Sequence, residues 1–556
     1  MNNDSKCARS TSSQTFNMAF VSVESGITAL GFRRVASVAR HLNPATEIYF
    51  IAVNNLYSLL HHIFPAKKSE FNAEDAEIVG RQLAQKDLVC FSSMTASAKH
   101  VEAIIASIRR HNPKTFILFG GVHAILYPDQ AMAVSDAICT NEGEKPFPVF
   151  YKAFVEGGDY TATPGMWFKR PDGVKKKPAV SLNSREELSS FPHLYNGLDC
   201  QIFDLKKQVF RQFDKFDYVN FNGLAYRTVW SIGCPFSCTF CANDAFIALD
   251  KTYTKMRFPS VEYMMREIEE AIKLHPYIST CAFYDDNLIA LPLEVIREFS
   301  KEYRARIGLP FVVFGVHPNI ITQEKLDLLA EAGANRARMG MQSGNAKMLK
   351  FYQRNTLPER IRSSVSMLGK AARKYKMIPP AYDIITDNPL EDRADIEETL
   401  RFLYSLERPY VLTIFSLRVF PGTQLWEYFA VHPEWGDPQK INSSYLDTRK
   451  TMGNVLLYML GMVKPPRWLF ERLLKYVRGY DEPQSEYPVL HFLVKNLYLA
   501  KRGIDHLVKL DFTVIVGSWT YYVWKMGFVG HRRKPPQSDG GCSGGISAPA
   551  RCATTS

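Results

Sequence analysis

The sequence predicts an α/β protein with a doubly wound parallel sheet, then a partial (β/α)6 barrel, then a mostly helical C-terminal region. Strand-like and helix-like patterns alternate over roughly 130 residues near the start, as expected for a doubly wound sheet. A second alternation begins near Tyr226 and continues for roughly 200 residues, which is long enough for six barrel units. The last part of the chain shows helical periodicity instead of this alternation.

Four apolar stretches predict the strands of the first sheet, and the segments between them have helical periodicity. The predicted strands are residues 17–23, 47–53, 87–91 and 115–119. The predicted helices are residues 27–41, 75–84 and 96–110. Ligands of such sheets bind beyond the carboxyl ends of the strands, so the loops that follow these strands are candidate binding loops.

Six further stretches predict the barrel strands, at residues 226–232, 279–284, 311–316, 335–341, 381–386 and 410–419. One helix between them is clear, because Val261, Met264, Met265 and Ile268 fall on one face behind Ser260, its candidate N-cap. Residues 156–222 interrupt the alternation and predict a connector with a hairpin turn at 170–173.

The domain boundaries follow from these patterns. We expect the first sheet domain at 17–155, the connector at 156–222, the barrel at 223–430 and the helical C-terminal region at 431–534. The polar and Gly/Ser/Pro-rich ends, residues 1–16 and 535–556, predict disordered tails.

The C-terminal region contains two notable patterns. Residues 464–478 predict an amphipathic helix with an inward face formed by Trp468, Leu469, Leu473 and Tyr476. Residues 512–524 form an aromatic apolar run that is shorter than the ~20 residues needed to cross a bilayer, so no transmembrane span is predicted. A buried element and an interfacial membrane contact both fit this run.

Composition narrows the class of protein. An apolar content of 46% and a charged content of 22% are ordinary for a soluble globular protein, and ten cysteines are too few for a disulfide scaffold. The polar start shows no secretory signal, so we expect a reducing, cytoplasmic setting. The net charge of +12 fits a solvated basic surface or attraction to anionic molecules, and no nucleic-acid motif accompanies it.

Three closely spaced cysteines, Cys234, Cys238 and Cys241, are the strongest chemical signal in the chain. Their spacing is C-x3-C-x2-C, with no fourth cysteine nearby, which suits a [4Fe–4S] cluster with one iron left open to a small molecule. Structural zinc is the alternative, but it usually takes four ligands, often as two C-x2-C pairs. Disulfides would require an oxidising compartment.

The cysteine spacing resembles the signature of the radical S-adenosylmethionine (SAM) enzymes. The resemblance implies that SAM binds the open iron, that one electron cleaves it to a 5′-deoxyadenosyl radical, and that a donor such as flavodoxin or ferredoxin supplies the electron. It also implies that Phe240, directly before the last cysteine, lies beside the adenine ring of SAM. A core phenylalanine is the alternative for Phe240.

Later motifs are similar to the same family in their order along the chain. Asp285 and Asp286 follow the second barrel strand, where the resemblance implies carboxylates that accept hydrogen bonds from the SAM amino group. Many members carry a Gly-Gly-Glu-like segment there, and this Asp pair resembles the cobalamin-associated branch instead. A helix-capping or solvated acidic pair is the alternative.

The segment Gly340-Met341-Gln342-Ser343-Gly344 also matches a family segment. The resemblance implies that Gln342 and Ser343 bind the ribose hydroxyls and carboxylate of SAM, and that Arg354 pairs with a carboxylate or supports the site. Residues 383–389 and 421–423 match the framework and pocket wall of the barrel.

The N-terminal sheet resembles the Rossmann-like cobalamin-binding domain that precedes the barrel in many radical SAM enzymes. The resemblance rests on Ser92-Ser93-Met94-Thr95, Gly120-Gly121-Val122-His123 and Asn141-Glu142-Gly143-Glu144, each at a strand end. It implies that Ser92 and Thr95 meet the cobalamin nucleotide tail, while Gly120 and Gly121 let the backbone approach the ligand. We expect His123 to shape its loop near the corrin.

One motif of other cobalamin proteins is absent. The Asp-x-His-x-x-Gly segment that supplies an axial histidine is replaced by a loop at 24–31 that contains no histidine. If cobalamin binds, its cobalt therefore lacks a histidine from this loop, and loss of the cofactor is the alternative.

Together, the resemblances predict a cobalamin-dependent radical SAM methyltransferase that acts on an unactivated carbon of a small molecule. Ring rearrangement or cyclisation is the enzymatic alternative, and a non-catalytic cobalamin or redox sensor is the alternative from another class. The aromatic run and positive charge suggest a lipid-like or anionic substrate and a peripheral membrane contact.

Overall fold

A computed structural model describes residues 16–54, 70–437, 448–480, 482–483, 485–509 and 517–529. The predicted tails, apart from Phe16, lie outside the described residues, as do residues 512–516 of the aromatic run. The described chain contains a nine-stranded sheet followed by a six-stranded sheet.

Five parallel strands form the centre of the first sheet, in the spatial order β5-β4-β3-β1-β2. The prediction of a doubly wound parallel sheet is confirmed. The strand order changes direction between β3 and β1, and their diverging connections open a crevice at that point. The strands are Met18–Glu24 (β1), Glu47–Ala52 (β2), Leu88–Ser93 (β3), Phe116–Gly120 (β4) and Ala137–Cys139 (β5).

The segment 156–222 adds strands to both edges of this sheet. One hairpin pairs antiparallel with β5, and its turn lies at Arg170 and Gly173, as the turn signal predicts. A second hairpin continues from β2. The four edge strands are Met166–Arg170 (β6), Gly173–Lys176 (β7), Gln201–Asp204 (β8) and Val209–Gln212 (β9).

Helices cover the first sheet and lead toward the second. The helix after β2 begins at a capping box, in which Asn72 accepts from the backbone of Asp75, and Asp75 accepts from the backbone of Asn72. The helices are Leu30–Leu42 (α1), Ala73–Leu83 (α2), Ala98–His111 (α3), Val122–Leu126 (α4), Pro128–Val134 (α5), Pro146–Val155 (α6), Arg185–Ser190 (α7) and Lys215–Asn222 (α8).

The second sheet has six strands, and every strand pairs in parallel with the next strand along the chain. This arrangement confirms the predicted partial (β/α)6 barrel. The strands are Ala225–Thr228 (β10), Thr280–Phe283 (β11), Phe311–Val316 (β12), Ala334–Gln342 (β13), Ala381–Thr386 (β14) and Val411–Ser416 (β15).

The barrel helices lie between these strands and bury their apolar faces. In the predicted clear case, Ser260 accepts from the backbone N–H of Tyr263 at 3.1 Å, and Met264 and Ile268 are fully buried. The helices are Ala242–Leu249 (α9), Val261–Leu274 (α10), Leu293–Arg306 (α11), Gln323–Ala332 (α12), Ala346–Phe351 (α13), Pro358–Lys374 (α14), Arg393–Ser405 (α15) and Gln424–Val431 (α16).

The described C-terminal region is helical, as predicted, but the orientation predicted for one helix is wrong. Trp468 and Tyr476 are exposed, whereas Phe470 and Leu474 are buried. Phe470 stacks on Tyr404 with ring centroids 4.4 Å apart, which turns Trp468 outward. The helices are Met452–Met462 (α17), Arg467–Leu474 (α18), Pro488–Val508 (α19) and Trp519–Lys525 (α20).

In the described parts of the chain, no helix is both long and apolar enough to cross a membrane.

The buried carboxyl group of Glu391, which follows β14 along the chain, predicts that the stability of the protein depends on pH. Burial, with the charges of Asp395 and Asp387, raises the pKa of Glu391 from 4.5 to about 8. The folded chain therefore holds an extra proton between these two values, and its stability falls as the pH rises through this window. We expect Glu391→Gln to flatten that slope and to stabilise the protein at alkaline pH by about 2–4 kcal/mol.

Thermal unfolding at a series of pH values would measure this effect. Glu298→Gln, on an exposed face of α11, is the matched control and should leave the pH dependence unchanged. An unchanged slope in the Glu391 variant would contradict the assignment.

Candidate active site

The three cysteines lie in the loop between β10 and α9, at the carboxyl ends of the barrel strands. Ile232 and Arg257 exchange backbone hydrogen bonds of 2.8 and 3.0 Å just before the first cysteine. Within the loop, the Thr239 N–H donates to the Tyr352 carbonyl at 3.2 Å. These contacts with residues 257 and 352 therefore fix the position of the loop on the barrel.

Gly233 allows the tight entry into this loop. Its φ of +103° is in the region that favours glycine, and a Cβ there would lie 2.7 Å from the Tyr253 carbonyl oxygen.

Burial controls the electrostatics of the three thiols. It raises the pKa of Cys234 to about 11, that of Cys241 to about 12, and that of Cys238 above its ordinary value. A coordinating metal deprotonates a thiol outright, so a bound cluster would hold these groups as thiolates.

The thiols do not form a site for a single metal ion. Among the described residues, no three His, Cys, Asp or Glu side chains form a group that could hold one ion. In an iron–sulfur cube each cysteine binds a different iron, so its ligands surround the cluster instead of meeting at one point. The three cysteines fit such a group in number, spacing and burial.

Arg354 lies directly beside the cysteine loop. Its Nη1 is 3.7 Å from the Cys238 sulfur, and its Nη2 donates to the Gly340 carbonyl at 2.5 Å. The guanidinium is buried, and its Nε has no hydrogen-bond partner in the described parts of the chain. Because a buried unpaired donor is costly, this Nε–H is suited to a bound anionic group.

His317, which the sequence analysis did not single out, follows β12 and stacks on Phe236. The ring centroids are 3.7 Å apart, and the rings are inclined by 12°. Burial and the nearby Arg354 charge lower the pKa of His317 to about 2, so the imidazole is neutral. Its Nδ1 accepts from the Asn319 N–H at 3.2 Å, and no described residue forms a hydrogen bond with its Nε2. Its position directly after a barrel strand was the only sequence signal.

The two adjacent aspartates have different surroundings. Asp285 accepts from the backbone N–H groups of Trp230 and Ser231 at 3.0 and 2.6 Å, and from the Ser231 hydroxyl at 2.6 Å. Burial raises its pKa to about 6. These bonds make Asp285 a brace for the chain before the cysteine loop.

Asp286 is closer to the thiols. Its carboxylate accepts from the Tyr253 hydroxyl at 3.3 Å, and its charge raises the pKa of both Cys234 and Cys241. Burial raises the pKa of Asp286 itself.

Gln342 and Ser343 also differ. Gln342 is buried with a φ of +72°, an unusual conformation for a residue other than glycine, and its side chain lies against Gly340 near Arg354. The Ser343 hydroxyl is 3.0 Å from the Thr399 hydroxyl and also accepts from the backbone of Asn345. Gln342 thus lies with the cysteine loop and Arg354, whereas the Ser343 hydroxyl is directed to α15.

Phe240 is half-buried and packs edge-on against Tyr352, with ring centroids 5.1 Å apart. Of the later strand ends, Asp383 pairs with Arg338 at 2.7 Å, and Asp387 accepts from Asn454 at 2.8 Å. Asp383 therefore connects two barrel strands, and Asp387 connects the end of β14 to α17.

The crevice of the first sheet lies between the ends of β3 and β1. Gly121 has a φ of +87°, and a Cβ there would lie 2.7 Å from the Ser92 hydroxyl and 2.9 Å from the Ser93 N–H. Ser92 and Thr95 are half-buried. The two glycines thus keep the backbone close to the end of β3, with Gly120 as the last residue of β4.

Several buried polar atoms near this crevice lack hydrogen-bond partners among the residues that the structure describes. They are the hydroxyls of Ser22, Ser93 and Tyr127, and both ring nitrogens of His123. His123 lies in α4 between the rings of Phe119 and Tyr127. Buried unpaired groups and a glycine-lined strand end fit a bulky polar ligand, so these residues suit cobalamin.

The loop after β1, which lacks the axial-histidine motif, contacts the barrel. The Thr28 hydroxyl accepts from Arg227 on β10 at 3.0 Å. At the start of this loop, Glu24 accepts from the Met94 N–H at 2.7 Å, and burial raises the pKa of Glu24 to about 7.

An ion pair connects the first sheet to the cysteine loop. Glu142, in the segment after β5, accepts from both terminal nitrogens of Arg257 at 2.8 and 3.0 Å. Arg257 is also the backbone partner of Ile232, two residues before Cys234. A second contact joins Arg34 to Glu267 at 3.6 Å.

Two known protein families match separate regions of the chain. The B12 binding domain family matches residues 21–150, and the radical SAM superfamily matches residues 228–403.

Two curated relatives each match 60% of this chain. An uncharacterised methyltransferase of Pyrococcus horikoshii is 25% identical over 341 residues, which are 60% of this chain and 67% of the relative. The anaerobic magnesium-protoporphyrin IX monomethyl ester cyclase of Rubrivivax gelatinosus is 23% identical over 345 residues, 60% of this chain and 58% of that protein.

Two solved structures share the fold. The radical SAM methyltransferase TsrM from Kitasatospora setae, with tryptophan and a SAM analogue bound, superposes with a TM-score of 0.56 at 16% identity, covering 75% of this chain and 76% of TsrM. The cobalamin-dependent radical SAM enzyme OxsB, with aqua-cobalamin and SAM bound, gives 0.57 at 16% identity, covering 93% and 76%.

The chain therefore combines a B12-binding region with a radical SAM region, as the sequence analysis predicts. Both matches agree with the three predicted cofactors, a [4Fe–4S] cluster, SAM and cobalamin. The roles of individual residues remain predictions.

Proposed function

We propose that this enzyme transfers a methyl group to an unactivated carbon of a small molecule, with a [4Fe–4S] cluster, SAM and cobalamin. The observation that carries the proposal is the Glu142–Arg257 link, which connects the end of the B12-binding sheet to the cysteine loop at the barrel mouth. The methyltransferase among the relatives supports this reaction class.

The barrel residues would bind the cluster and SAM. Cys234, Cys238 and Cys241 would hold the cluster, which supplies an electron for SAM cleavage when bound. The residues that would line the SAM site are Phe240, Asp285, Asp286, Gln342, Ser343 and Arg354.

Their contacts suggest different tasks. Asp286 would accept from the SAM amino group, since its carboxylate is close enough to the cysteine thiols for its charge to raise the pKa of Cys234 and Cys241. Asp285 and Ser343 would act as positioning residues. The unpaired Nε–H of Arg354 would donate to the SAM carboxylate.

Ser92, Thr95, Gly120 and Gly121 would bind cobalamin, which supplies the methyl group when bound. The hydroxyls would hydrogen-bond the nucleotide tail, and the glycines would leave room for it beside β3. The loop at 24–31 would leave the cobalt without a histidine ligand.

The proposed domains and partners are those that the sequence predicts. The boundaries 17–155, 223–430 and 431–534 would delimit the cobalamin domain, the barrel and the helical region. A flavodoxin or ferredoxin would supply electrons in the cytoplasm. The net charge of +12 favours an anionic or lipid-like substrate.

Ring cyclisation is the second candidate, because one relative is a cyclase. The products of SAM distinguish the two reactions. Methylation consumes one SAM as methyl donor and a second as radical source, so S-adenosylhomocysteine and 5′-deoxyadenosine should both form. Cyclisation should yield 5′-deoxyadenosine without S-adenosylhomocysteine.

The anaerobically reconstituted protein should be assayed for both products and for a corrinoid spectrum. Failure to bind cobalamin, with the cluster intact, would remove the methyl-transfer step. A sensor without catalysis would bind the cofactors and form neither product.

Glu142→Gln tests the link between the two domains. Loss of the charged partner should loosen the bidentate contact to Arg257, because a hydrogen bond between charged groups is worth about 1.5–3 kcal/mol. We expect S-adenosylhomocysteine formation to fall by about tenfold or more while the cluster content stays unchanged. Glu270→Gln, at the exposed pair with His193, is the control. Equal activity of both variants would show that the link has no role.

A further inference from the structure

The long helix α19 (Pro488–Val508) presents an apolar face to solvent. Val489, Phe492 and Val508 are 71%, 64% and 73% exposed. With 3.6 residues per turn, the exposed apolar positions fall on one half of the helix. The other members of this face are Leu490, Leu493, Leu497, Ile504 and Leu507.

The opposite face of α19 fixes the helix to the protein through polar groups. His491 lies 3.0 Å from the Thr448 hydroxyl, and the buried Tyr498 hydroxyl donates to the Leu412 carbonyl. His506 lies 3.4 Å from Arg336. The inner face of α19 thus combines these polar contacts with the packing of Val494, Tyr498 and Leu499, while most of its large apolar side chains face outward.

The neighbouring helix α20 shares this character. Trp519 and Tyr522 are exposed, as are Met526 and Phe528 just after the helix. Trp and Tyr are enriched where proteins meet the headgroup region of a bilayer. We call the exposed apolar residues of α19 the C-terminal apolar surface, and α20, the next helix along the chain, has the same character.

The charge of this region indicates what covers the surface. Residues 487–534 contain eight Lys or Arg and two Asp or Glu, so they carry half of the net charge of +12. Two copies of such a surface would repel each other, whereas anionic phospholipids would attract it. Interfacial helices combine these features, with an apolar face in the acyl boundary and basic residues at the headgroups.

We propose that the C-terminal apolar surface binds the surface of an anionic phospholipid bilayer, with α19 lying in the plane of the interface. Lys501, which pairs with Asp505 at the edge of the apolar face, would lie at the headgroups. The contact is peripheral.

From Tyr498 onward, α19 lies at the end of the barrel opposite the cysteine loop, as does α20. Tyr498 contacts Leu412 near the start of β15, and α20 packs on Tyr277, which precedes β11. Both contacts lie toward the amino-terminal ends of the barrel strands, whereas the cysteine loop follows a carboxyl end. Membrane binding and SAM cleavage are therefore separable, and the inference does not depend on the proposed reaction.

Co-sedimentation of the reconstituted full-length protein with vesicles tests the proposal. We expect binding to vesicles of phosphatidylcholine and phosphatidylglycerol, weaker binding to phosphatidylcholine alone, and release by salt. Combining Phe492→Ser, Leu493→Ser and Leu497→Ser should reduce the binding constant by at least about tenfold, since three large apolar groups are lost. Formation of 5′-deoxyadenosine in solution should stay unchanged.

A matched triple variant replaces the exposed valines Val149, Val155 and Val209 by serine and should bind as the wild type does. The proposal is overturned if the wild type stays in the supernatant with both vesicles, or if the α19 variant binds equally well. A wild-type dimer that the α19 variant dissociates would show that a second copy covers the surface, and would also overturn it.

Discussion

Replacement of Cys238 by alanine is expected to abolish both the cluster absorbance and the cleavage of SAM. Cys238 is buried, and its sulfur lies 3.7 Å from Arg354 at the centre of the cysteine loop. A [4Fe–4S] cluster with one open iron has only three protein ligands, so loss of one leaves two. Iron content and the 5′-deoxyadenosine yield of the reconstituted variant measure the effect, which should exceed about a thousandfold in activity.

Cys281→Ala is the matched control for this variant. Cys281 is fully buried in β11 of the same barrel, but it lies outside the cysteine loop. Its replacement should leave iron content and activity close to those of the wild type. Unchanged iron in the Cys238 variant would refute its role as a ligand.

Arg354→Gln is expected to have the second largest effect. Removal of the guanidinium deletes a positive charge and an N–H···S contact to Cys238, both of which stabilise the more negative, reduced cluster. We expect the midpoint potential to fall by about 60 mV, the one-electron equivalent of a tenfold change in an equilibrium constant. SAM cleavage should fall by about tenfold or more, because the variant would also lose the proposed hydrogen bond from the buried Nε–H to the SAM carboxylate.

A potentiometric titration followed by electron paramagnetic resonance would measure the potential. Arg360→Gln is the control, since this arginine on α14 donates to the Ile321 carbonyl at 2.9 Å, away from the thiols. A potential that is the same in the Arg354 variant and the wild type would contradict the proposed role. Iron content in both variants should match the wild type.

The sequence predicts the barrel strands well where apolar runs are continuous. The bounds of β12 and β14 agree with the predicted 311–316 and 381–386. The first barrel strand is shorter than predicted and ends at Thr228. The reason is that the N–H groups of Trp230 and Ser231 donate to Asp285 instead of to a neighbouring strand.

Apart from the turn at 170–173, the short, partly exposed edge strands escape prediction for a different reason. The edge strands β6 to β9 include exposed residues such as Val174 and Val209, and they gain their pairing only from the sheet that they extend. Trp468 was expected to face inward because it is large and apolar, but the stacking of Phe470 on Tyr404 decides the orientation. Both outcomes depend on tertiary contacts that periodicity does not encode.

The sequence predicts which strand ends form the candidate site, but it does not predict the contacts that the site residues make. The order of the motifs places Cys234, Asp286 and Gln342 at one end of the barrel. It does not reveal that Asp285 braces the chain, that Ser343 is directed to Thr399, or that His317 stacks on Phe236. These contacts join segments that are far apart in the sequence.

The most direct test of the account measures 5′-deoxyadenosine after SAM and a strong reductant are added to the anaerobically reconstituted protein. The account predicts that the yield of 5′-deoxyadenosine rises with the amount of reductant added, and that the Cys238→Ala protein forms none. An intact cluster, verified by its absorbance and iron content, that binds SAM and releases no 5′-deoxyadenosine would contradict it.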